Sequence, residues 1–589
     1  MGTISDKLMR IINTKEDIRQ ALISKGYDVP TSIPFKEYAK MISDLPCRVD
    51  SFPDIEGIVA RYSALGLTNE QMAANPVWVD KTGNGHDLQM KNFAWKEGSG
   101  ISDIYPGALV FDGVDDWAGC DNLPLLPKEK GYSIIALRNW ITRYDATQYK
   151  RPLISNLDTN DEGAFLIEYR KDENVNDVTG SYNSFTDVYI DDNNPITWQT
   201  SSSYNGQIIK KGTSKSINKL CICKTYFGQL SNYANAAIWE IVILDHDATE
   251  EELTKIKDYF VKTYPWLFPD QAWTVVGKTN EDEDRATIAN ITGNGNDLVL
   301  SNFGFAEGSG YGLYGENYNG GRWVKSTDRA DITWTSYSVN ITSVKVASTQ
   351  LYYQSYPEQP SFTVPSYKIK VYGLKDGQTL SYKQATSEGQ QLYKISEDGT
   401  YTLPSFPFKA NGDWYGFTLN KVQESCDITI EQIPEYEGYL VTDGVDDKIV
   451  SAESIAFTDT WTIITDAIFL GEKVVSAGIL VKDIFGVSNL MEYGRVEVSV
   501  KGGVLLKVPT PSIKAICSDG RIYDADWNEY QAEPGTIKVS EGTLIIGMWY
   551  NGMQFCSIAF KNIATYNGYA LSKDDCIKAY NYLQTLKSK

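Results

Sequence analysis

The sequence predicts a mainly β protein with two large antiparallel sandwiches, a small inserted β-sandwich and a short α-helical N-terminal module. Two observations support this class. Short runs of β-branched and aromatic residues recur between turns rich in Gly, Asn and Asp, which is the pattern of many short strands. A pair of loop motifs also occurs twice along the chain, which indicates an internal duplication of one domain.

The composition narrows the function classes. The 589 residues include 76 acidic and 55 basic side chains, and the net charge of −21 disfavours binding to nucleic acid or to an anionic membrane surface. Only two histidines are present, His86 and His246, so a catalytic or metal centre built on histidine has little material. We therefore expect no cofactor and no enzyme activity. The conspicuous bias is aromatic, with 38 Tyr, 20 Phe and 14 Trp.

The N-terminal module, residues 1–48, shows helical patterns. Ile4, Leu8 and Ile11 recur at intervals of three or four, Thr14 can cap a second helix, and Pro34 suits the first turn of a third. Three helices this short bury a small core, so we expect a partner to stabilise them; an independent small bundle is the alternative. The first residues lack a basic stretch followed by an apolar core, so we expect cytoplasmic synthesis without a secretory signal.

Two loop motifs define the duplication. The first motif reads TGNGHDL at 82–88 and TGNGNDL at 292–298, an offset of 210 residues (292 − 82). The second motif reads DGVDD at 112–116 and again at 443–447, an offset of 331 (443 − 112). The second copy therefore carries 121 additional residues (331 − 210) between its motifs.

The additional residues predict a separate domain. Residues 323–434 contain the alternating runs YKIKVY at 367–372 and DITIEQI at 427–433, with Gly-containing hairpin turns between strands. We expect a small β-sandwich joined by both ends to a loop of the larger domain, because close termini leave the host core undisturbed.

Both copies also end alike. A strand-like run at 237–244 precedes a helix that Thr249 can cap, and the second copy ends in a helix that Ser572 can cap. These matching starts and ends place the two copies at 49–268 and 271–589. The joint, residues 265–269, is apolar, so we expect packed domains and not a flexible linker. The eight scattered cysteines predict buried, reduced thiols and no zinc site.

Each DGVDD motif clusters three carboxylates. They belong to Asp112, Asp115 and Asp116 in the first copy and to Asp443, Asp446 and Asp447 in the second. Clustered carboxylates suit a hard cation, which makes these residues weak calcium candidates. The alternative, which we favour, is a hairpin turn in which Asp-Gly supplies the positive φ and the remaining aspartates face water.

The ordered motifs resemble the laminin-G, concanavalin A-like jelly roll. The first copy carries both parts of the pattern, DKTGNG at 80–85 and FDGVDD at 111–116, whereas the second copy has Asn290 where the first has Asp80. Residues 1–48 resemble a short helical element at the front of phage structural and tail-associated proteins. The segment from Cys426 to Tyr439 resembles appendage proteins of phages and prophages of gut Bacteroidales, including the crAss-like phages. This resemblance implies a head or tail fibre protein located in the virion.

The aromatic residues near predicted loops are candidate glycan contacts, since Trp and Tyr stack on sugar faces while offering one polar atom. The alternative is that they fill sandwich cores or subunit interfaces. The candidates are Trp95, Trp117, Trp198, Tyr311, Tyr314, Trp323 and Trp334, with Tyr318 and Trp414 also near loops.

Jelly rolls of this kind include glycoside hydrolases, which need two facing carboxylates. The resemblance would place them in a Glu-x-Asp-x-x-Glu string, which is missing, and Glu168 and Glu240 are lone acids within strands. We therefore predict a structural virion appendage that docks to capsid or tail proteins through residues 1–48 and binds host-surface or mucosal glycans. Such a protein is expected to be a homo-oligomer, dimer or trimer. A polysaccharide-degrading hydrolase is the alternative.

Overall fold

The structure is a computed structural model. Apart from Lys15 and Arg19, residues 1–48 lie outside the part of the chain that it describes, and the predicted N-terminal module lies there with them. The described residues are 52–126, 132–142, 150–158, 163–170, 196–201, 217–227, 232–305, 308–319, 323–325, 330–344, 348–354, 362–386, 389–408, 413–420, 425–470, 478–490, 495–536, 541–549 and 552–588.

The first unit is a sandwich of two antiparallel sheets. One sheet has the order β10–β7–β12–β5–β4 with β1 also paired to β12, and the other has the order β2–β3–β6–β11–β8–β9. Alternate side chains of both sheets face inward and form one apolar core. The elements are β1 (Ile58–Ser63), α1 (Asn69–Ala74), β2 (Val77–Trp78), β3 (Leu88–Lys91), β4 (Gly100–Ile101), β5 (Leu109–Asp112), β6 (Trp117–Cys120), β7 (Tyr132–Thr142), β8 (Lys150–Leu157), β9 (Gly163–Arg170), β10 (Ile196–Ser201), β11 (Leu220–Ile222), β12 (Asn235–Leu244) and α2 (Glu250–Thr263).

The second unit begins with four strands that precede the inserted segment. They are β13 (Gln271–Thr274), β14 (Thr287–Ile288), β15 (Leu298–Ser301) and β16 (Gly310–Leu313). The inserted segment then forms β17 (Trp323–Lys325), β18 (Ala330–Trp334), β19 (Ser338–Val344), β20 (Ser348–Gln354), β21 (Phe362–Val364), β22 (Tyr367–Tyr372), β23 (Thr379–Thr386), β24 (Gly389–Ile395), β25 (Gly399–Leu403), β26 (Phe406–Phe408), β27 (Trp414–Asn420) and β28 (Ser425–Ile433).

The inserted segment is a β-sandwich with its own core. Its two five-stranded sheets have the orders β17–β20–β27–β23–β24 and β18–β19–β28–β22–β25, and β21 pairs with β26. None of these described strands pairs with a strand of either larger unit. The larger unit resumes at once after Pro434, because its next strand begins at Glu435 and pairs back onto β16.

The second unit is completed by the rest of the chain. It adds β29 (Glu435–Val441), β30 (Lys448–Ser451), β31 (Ile455–Ala456), β32 (Trp461–Phe469), β33 (Gly478–Val481), β34 (Phe485–Leu490), β35 (Arg495–Val500), β36 (Leu506–Val508), β37 (Ile513–Cys517), β38 (Arg521–Asp524), β39 (Glu529–Gln531), β40 (Glu541–Gly542), β41 (Leu544–Met548), β42 (Ile558–Asn567) and α3 (Lys573–Leu583). The sheet orders are β16–β29–β42–β32–β37–β38–β39, with β13 on β42, and β14–β15–β30–β41–β33–β34–β35–β36.

The two larger units share one strand connectivity. The central strand β42 pairs with β13, β29 and β32, just as β12 pairs with β1, β5 and β7. The insert therefore occupies the β16–β29 connection, where the first unit has only the short loop between β4 and β5. The fold class predicted for the sandwiches is confirmed: the chain is mainly β, with two jelly rolls and a smaller inserted β-sandwich.

The two C-terminal helices join the larger units. Thr249 caps α2 in a reciprocal capping box with Glu252, and Ser572 caps α3, as the sequence predicts. Both helices belong to one apolar cluster that also contains Trp266, where the Tyr566 hydroxyl donates to the Trp266 carbonyl oxygen at 3.0 Å. The apolar joint is therefore packed, as expected.

Two further expectations concern the described residues alone. The seven cysteines among them are buried and free, which confirms the prediction of reduced thiols for those positions. No helix among the described ranges has the length and apolar character needed to span a membrane.

Candidate functional site

The first repeated loop is organised by one side chain in each unit. The Asp80 carboxylate accepts hydrogen bonds from the backbone N–H groups of Arg61 and Thr82 at 3.1 and 3.0 Å. Asn290 makes the corresponding hydrogen bonds in the second unit, where its Oδ1 accepts from the backbone N–H groups of Ala272 and Thr292 at 3.3 and 3.1 Å. A side-chain amide and a carboxylate both offer the acceptor oxygen that this loop requires. Asn290 can therefore replace the aspartate of the first unit without loss of these hydrogen bonds.

The second repeated loop is a hairpin turn closed by its own aspartates. Asp112 Oδ1 accepts from the backbone N–H groups of Val114 and Asp115 at 2.8 and 3.2 Å, while Asp116 Oδ2 accepts from the N–H of Asp112 at 3.1 Å. The second unit repeats these bonds through Asp443 and Asp447. Side-chain acceptors that bond nearby backbone are typical of such turns.

The last aspartate of each hairpin, Asp116 or Asp447, is buried, which corrects the expectation that it faces water. Burial raises the pKa of Asp116 and of Asp447 to about 6. Among the described residues, one carboxylate oxygen of each has no hydrogen-bond partner, although Ser309 donates to the other oxygen of Asp447 at 2.7 Å. The raised pKa follows because the ionised form has lost much of its hydration.

The three carboxylates of each hairpin lie close enough to share an ion. One oxygen from each of Asp112, Asp115 and Asp116 falls within 4.8 Å of the others, as does one from each of the matching residues of the second unit. These aspartates already stabilise the turn by accepting backbone hydrogen bonds, so their arrangement has a structural role without a cation. Calcium binding at Asp443, Asp446 and Asp447, and at their first-unit counterparts, stays a prediction.

A second loop packs beside each hairpin. Asn92, in the left-handed region at φ 69°, donates from its side chain to the Asp115 carbonyl oxygen at 2.9 Å, and Asn302 makes the same bond to Asp446 at 3.0 Å. Trp95 follows at φ 53°, and its ring stacks on Phe93 with centroids 4.9 Å apart. Both rings are half-buried and pack against the sandwich core, so the main role of Trp95 is in packing.

Two rings and a lysine form a cluster on the outer face of the first unit. Ala118 and Cys120 of β6 face the core, so Trp117 and Gly119 face outward. The half-exposed Trp117 ring lies over Gly119, and Phe227 meets it edge-on at 5.7 Å between centroids. Lys224 Nζ sits 4.0 Å from the centre of the Trp117 ring. We call Trp117, Lys224 and Phe227 the Trp117 patch.

The described residues of the second unit do not repeat this patch. The repeat offset places Lys448 at the position of Trp117, at the start of β30. Lys224 forms an isolated backbone bridge with Tyr233, and the matching bridge of the second unit joins Met548 to Phe555, which places Met548 at the position of Lys224. The repeat therefore preserves the loops but not this surface.

The remaining aromatic candidates do not form one site. Tyr311 and Trp323 are each only 5% exposed and belong to sandwich cores, which corrects the expectation that they are loop contacts. The reason is strand alternation, which turns both side chains inward. Tyr318 is likewise buried, and Tyr314 stacks on Tyr337 at 3.6 Å.

Three tryptophans lie elsewhere. Trp334 and Trp414 are half-buried on the inserted sandwich, where Lys325 and Lys383 lie 5.0 and 5.1 Å from their ring centres. Trp198 is in β10, and its side chain lies outside the described residues.

The lone acid in β12 belongs to a buried ion pair. Glu240 bonds Arg61 at 3.1 Å and accepts from the hydroxyls of Tyr259 and Tyr264 at 3.0 and 2.9 Å. Burial raises the pKa of Glu240, and the Arg61 guanidinium opposes that shift. A carboxylate enclosed in this way cannot reach a glycosidic bond. The Glu168 side chain lies outside the described residues.

Comparison with known proteins gives only remote similarities. No family model and no curated protein matches the sequence. Among solved structures, the N-terminal CBM22-1–CBM22-2 tandem domain of Xyn10C from Paenibacillus barcinonensis is 8% identical; the match covers 65% of this chain and 98% of that one, with a TM-score of 0.15. Trypanosoma rangeli sialidase in complex with sialic acid is also 8% identical, over 50% of this chain and 67% of that one, with a TM-score of 0.18. Overlaps this low do not bear on what the chain binds.

Proposed function

We propose that this chain is a structural virion appendage protein that binds glycans through the Trp117 patch of its first jelly roll. The observation that carries the glycan-binding part is the half-exposed Trp117 ring with Phe227 beside it on the outer face of a rigid sheet. Flat apolar rings match the C–H faces of sugar rings, and a sheet holds them without an ordering cost on binding.

The virion role rests on the sequence resemblance. Residues 1–48 would dock the chain to capsid or tail proteins, and the jelly rolls and inserted sandwich would project from the particle. Closed symmetry would supply many identical contacts from one chain, which favours a homo-oligomer. A pull-down of purified virion proteins by the full chain, compared with a chain that lacks residues 1–48, tests this. Equal capture by both chains would overturn the docking role of the module.

An enzyme role is the second candidate, and the buried acids argue against it. Asp116 and Asp447 have the raised pKa of a general acid, but both are fully buried and cannot protonate a leaving group on a polysaccharide. A zymogram on β-glucans and capsular polysaccharide tests this. Clearing that disappears in a single Asp or Glu variant would establish the hydrolase instead.

The glycan test compares two tryptophans of the same unit. Trp117→Ala removes the half-exposed ring, whereas Trp95→Phe introduces the residue that the second unit carries at the matching position, Phe305. We expect Trp117→Ala to weaken glycan-array binding by tenfold or more, about 1.4 kcal/mol, and Trp95→Phe to leave it unchanged. Full binding by Trp117→Ala, with both variants folded, would remove the patch from consideration.

A further inference from the structure

Lys224 is a buried cation that has no anionic partner among the described residues. The residue is only 6% exposed, and its ammonium Nζ lies 4.0 Å from the centre of the Trp117 ring. It takes part in no ion pair with the carboxylates that the structure describes. Burial lowers the pKa of Lys224, because the charged form has lost part of its hydration.

The neighbouring lysine shows how the chain treats such charges elsewhere. Lys219 lies 5.1 Å from the Phe227 ring and is ion-paired with Asp158. The sequence holds 76 acidic side chains against 55 basic ones, so carboxylate partners are abundant. Lys224 keeps a small exposed fraction beside the half-exposed Trp117 ring and faces no carboxylate among the described residues, so an anion held at this ring can supply the missing partner from outside the chain.

We propose that the Trp117 patch recognises an acidic sugar, whose carboxylate or sulfate group binds Lys224 while its ring packs against Trp117 and Phe227. The inference rests on the proposed glycan binding and adds the chemical class of the ligand. An ammonium in a poorly hydrated position gains a strong, charge-assisted hydrogen bond from such a group. The aromatic rings supply the apolar contact that distinguishes a sugar from a free anion.

We expect one acidic-sugar site per chain, because the second unit does not carry the residues that form it. Met548 replaces the lysine and Lys448 replaces the tryptophan, so neither half of the recognition is present there. Because the whole chain carries a charge of −21, its long-range interaction with an anionic glycan is repulsive, and recognition depends on local contacts.

The experiment measures binding of the full chain to matched polymers. Polygalacturonate is compared with its methyl ester, and dextran sulfate with dextran, so that the two polymers of each pair share a sugar backbone and only one of them carries anionic groups. Lys224→Met introduces the residue that the second unit tolerates at this position, and Lys255→Met changes the net charge equally on exposed helix α2, where Lys255 pairs with Glu251.

We expect tighter binding to at least one acidic polymer than to its neutral partner, and a tenfold or greater loss in Lys224→Met. Lys255→Met should match the native chain. The preferred pair tells a carboxylate ligand from a sulfate. Equal binding of acidic and neutral polymers, with Lys224→Met unaffected, would overturn the acidic class while leaving glycan binding intact. Absence of binding to every polymer, confirmed on a glycan array, would overturn both proposals.

Discussion

The first and second jelly rolls have the same loop structures but differ in their buried polar residues. In the first, the buried Arg61–Glu240 pair joins β1 to β12; the strand pairing places Ala272 and Asn562 at the matching positions of the second. The hairpin aspartates and their backbone hydrogen bonds are nevertheless the same in both. Loop geometry thus survived duplication because it satisfies backbone groups, whereas the buried pair and the outer surface were free to diverge.

The ion pair gives the largest expected difference between the units. Glu240→Asn installs the second unit's residue but leaves the buried Arg61 guanidinium without its carboxylate, so we expect a loss of about 3–5 kcal/mol in the free energy of unfolding. Adding Arg61→Ala, which completes the second unit's pair, should recover most of that loss. Chemical denaturation of the three chains measures it. A double variant no more stable than Glu240→Asn would contradict the account.

The hairpins should respond alike to pH. Each buried aspartate has its pKa raised to about 6 in the folded chain, against 3.8 ordinarily, so its contribution to stability is full below pH 4 and is lost as the pH rises through 6. The loss is at most about 3 kcal/mol per site. Asp116→Asn and Asp447→Asn should each remove their share of this slope in denaturation at pH 4 to 7.5. If the free energy of unfolding of either variant kept the native dependence on pH, the aspartate of that hairpin would not contribute as expected and the two hairpins would differ.

Calcium binding would be a further property that the two hairpins have in common. If both acidic clusters bind it, calcium at ten times its dissociation constant should stabilise each by about 1.4 kcal/mol. Thermal unfolding at pH 7.5 with calcium or with EDTA measures this, and Asp115→Asn and Asp446→Asn should each reduce the shift. Identical melting curves with and without calcium would mean that hydrogen bonds alone hold these turns.

The helix caps give the smallest expected effects. Thr249→Ala and Ser572→Ala should each cost about 1 kcal/mol, because each side chain accepts a hydrogen bond from a first-turn N–H group. The two helices share one apolar cluster, so both variants should shift the same transition in a thermal melt. Two separate transitions, each sensitive to one cap, would show that the units unfold independently.

Sequence patterns foresaw the caps and the sandwich class better than they foresaw the site. Thr249 and Ser572 cap helices because their signals are local, a hydroxyl followed by an acid three residues later. Tyr311 and Trp323 were expected near loops but are buried in strands, because short turns and strand alternation fix which face a ring occupies. Lys224 gave no signal at all, since a lysine is ordinarily exposed.

The sequence by itself determined the duplicated loops, because TGNG and DGVDD encode turns whose hydrogen bonds close within a few residues. Only the tertiary structure decided which aromatic ring reaches the surface and which lysine has no carboxylate partner among the described residues. Trp117 and Lys224 are separated by more than a hundred residues and meet only when β6 pairs with β11. Contacts of that kind depend on strand order and register, which local patterns do not specify.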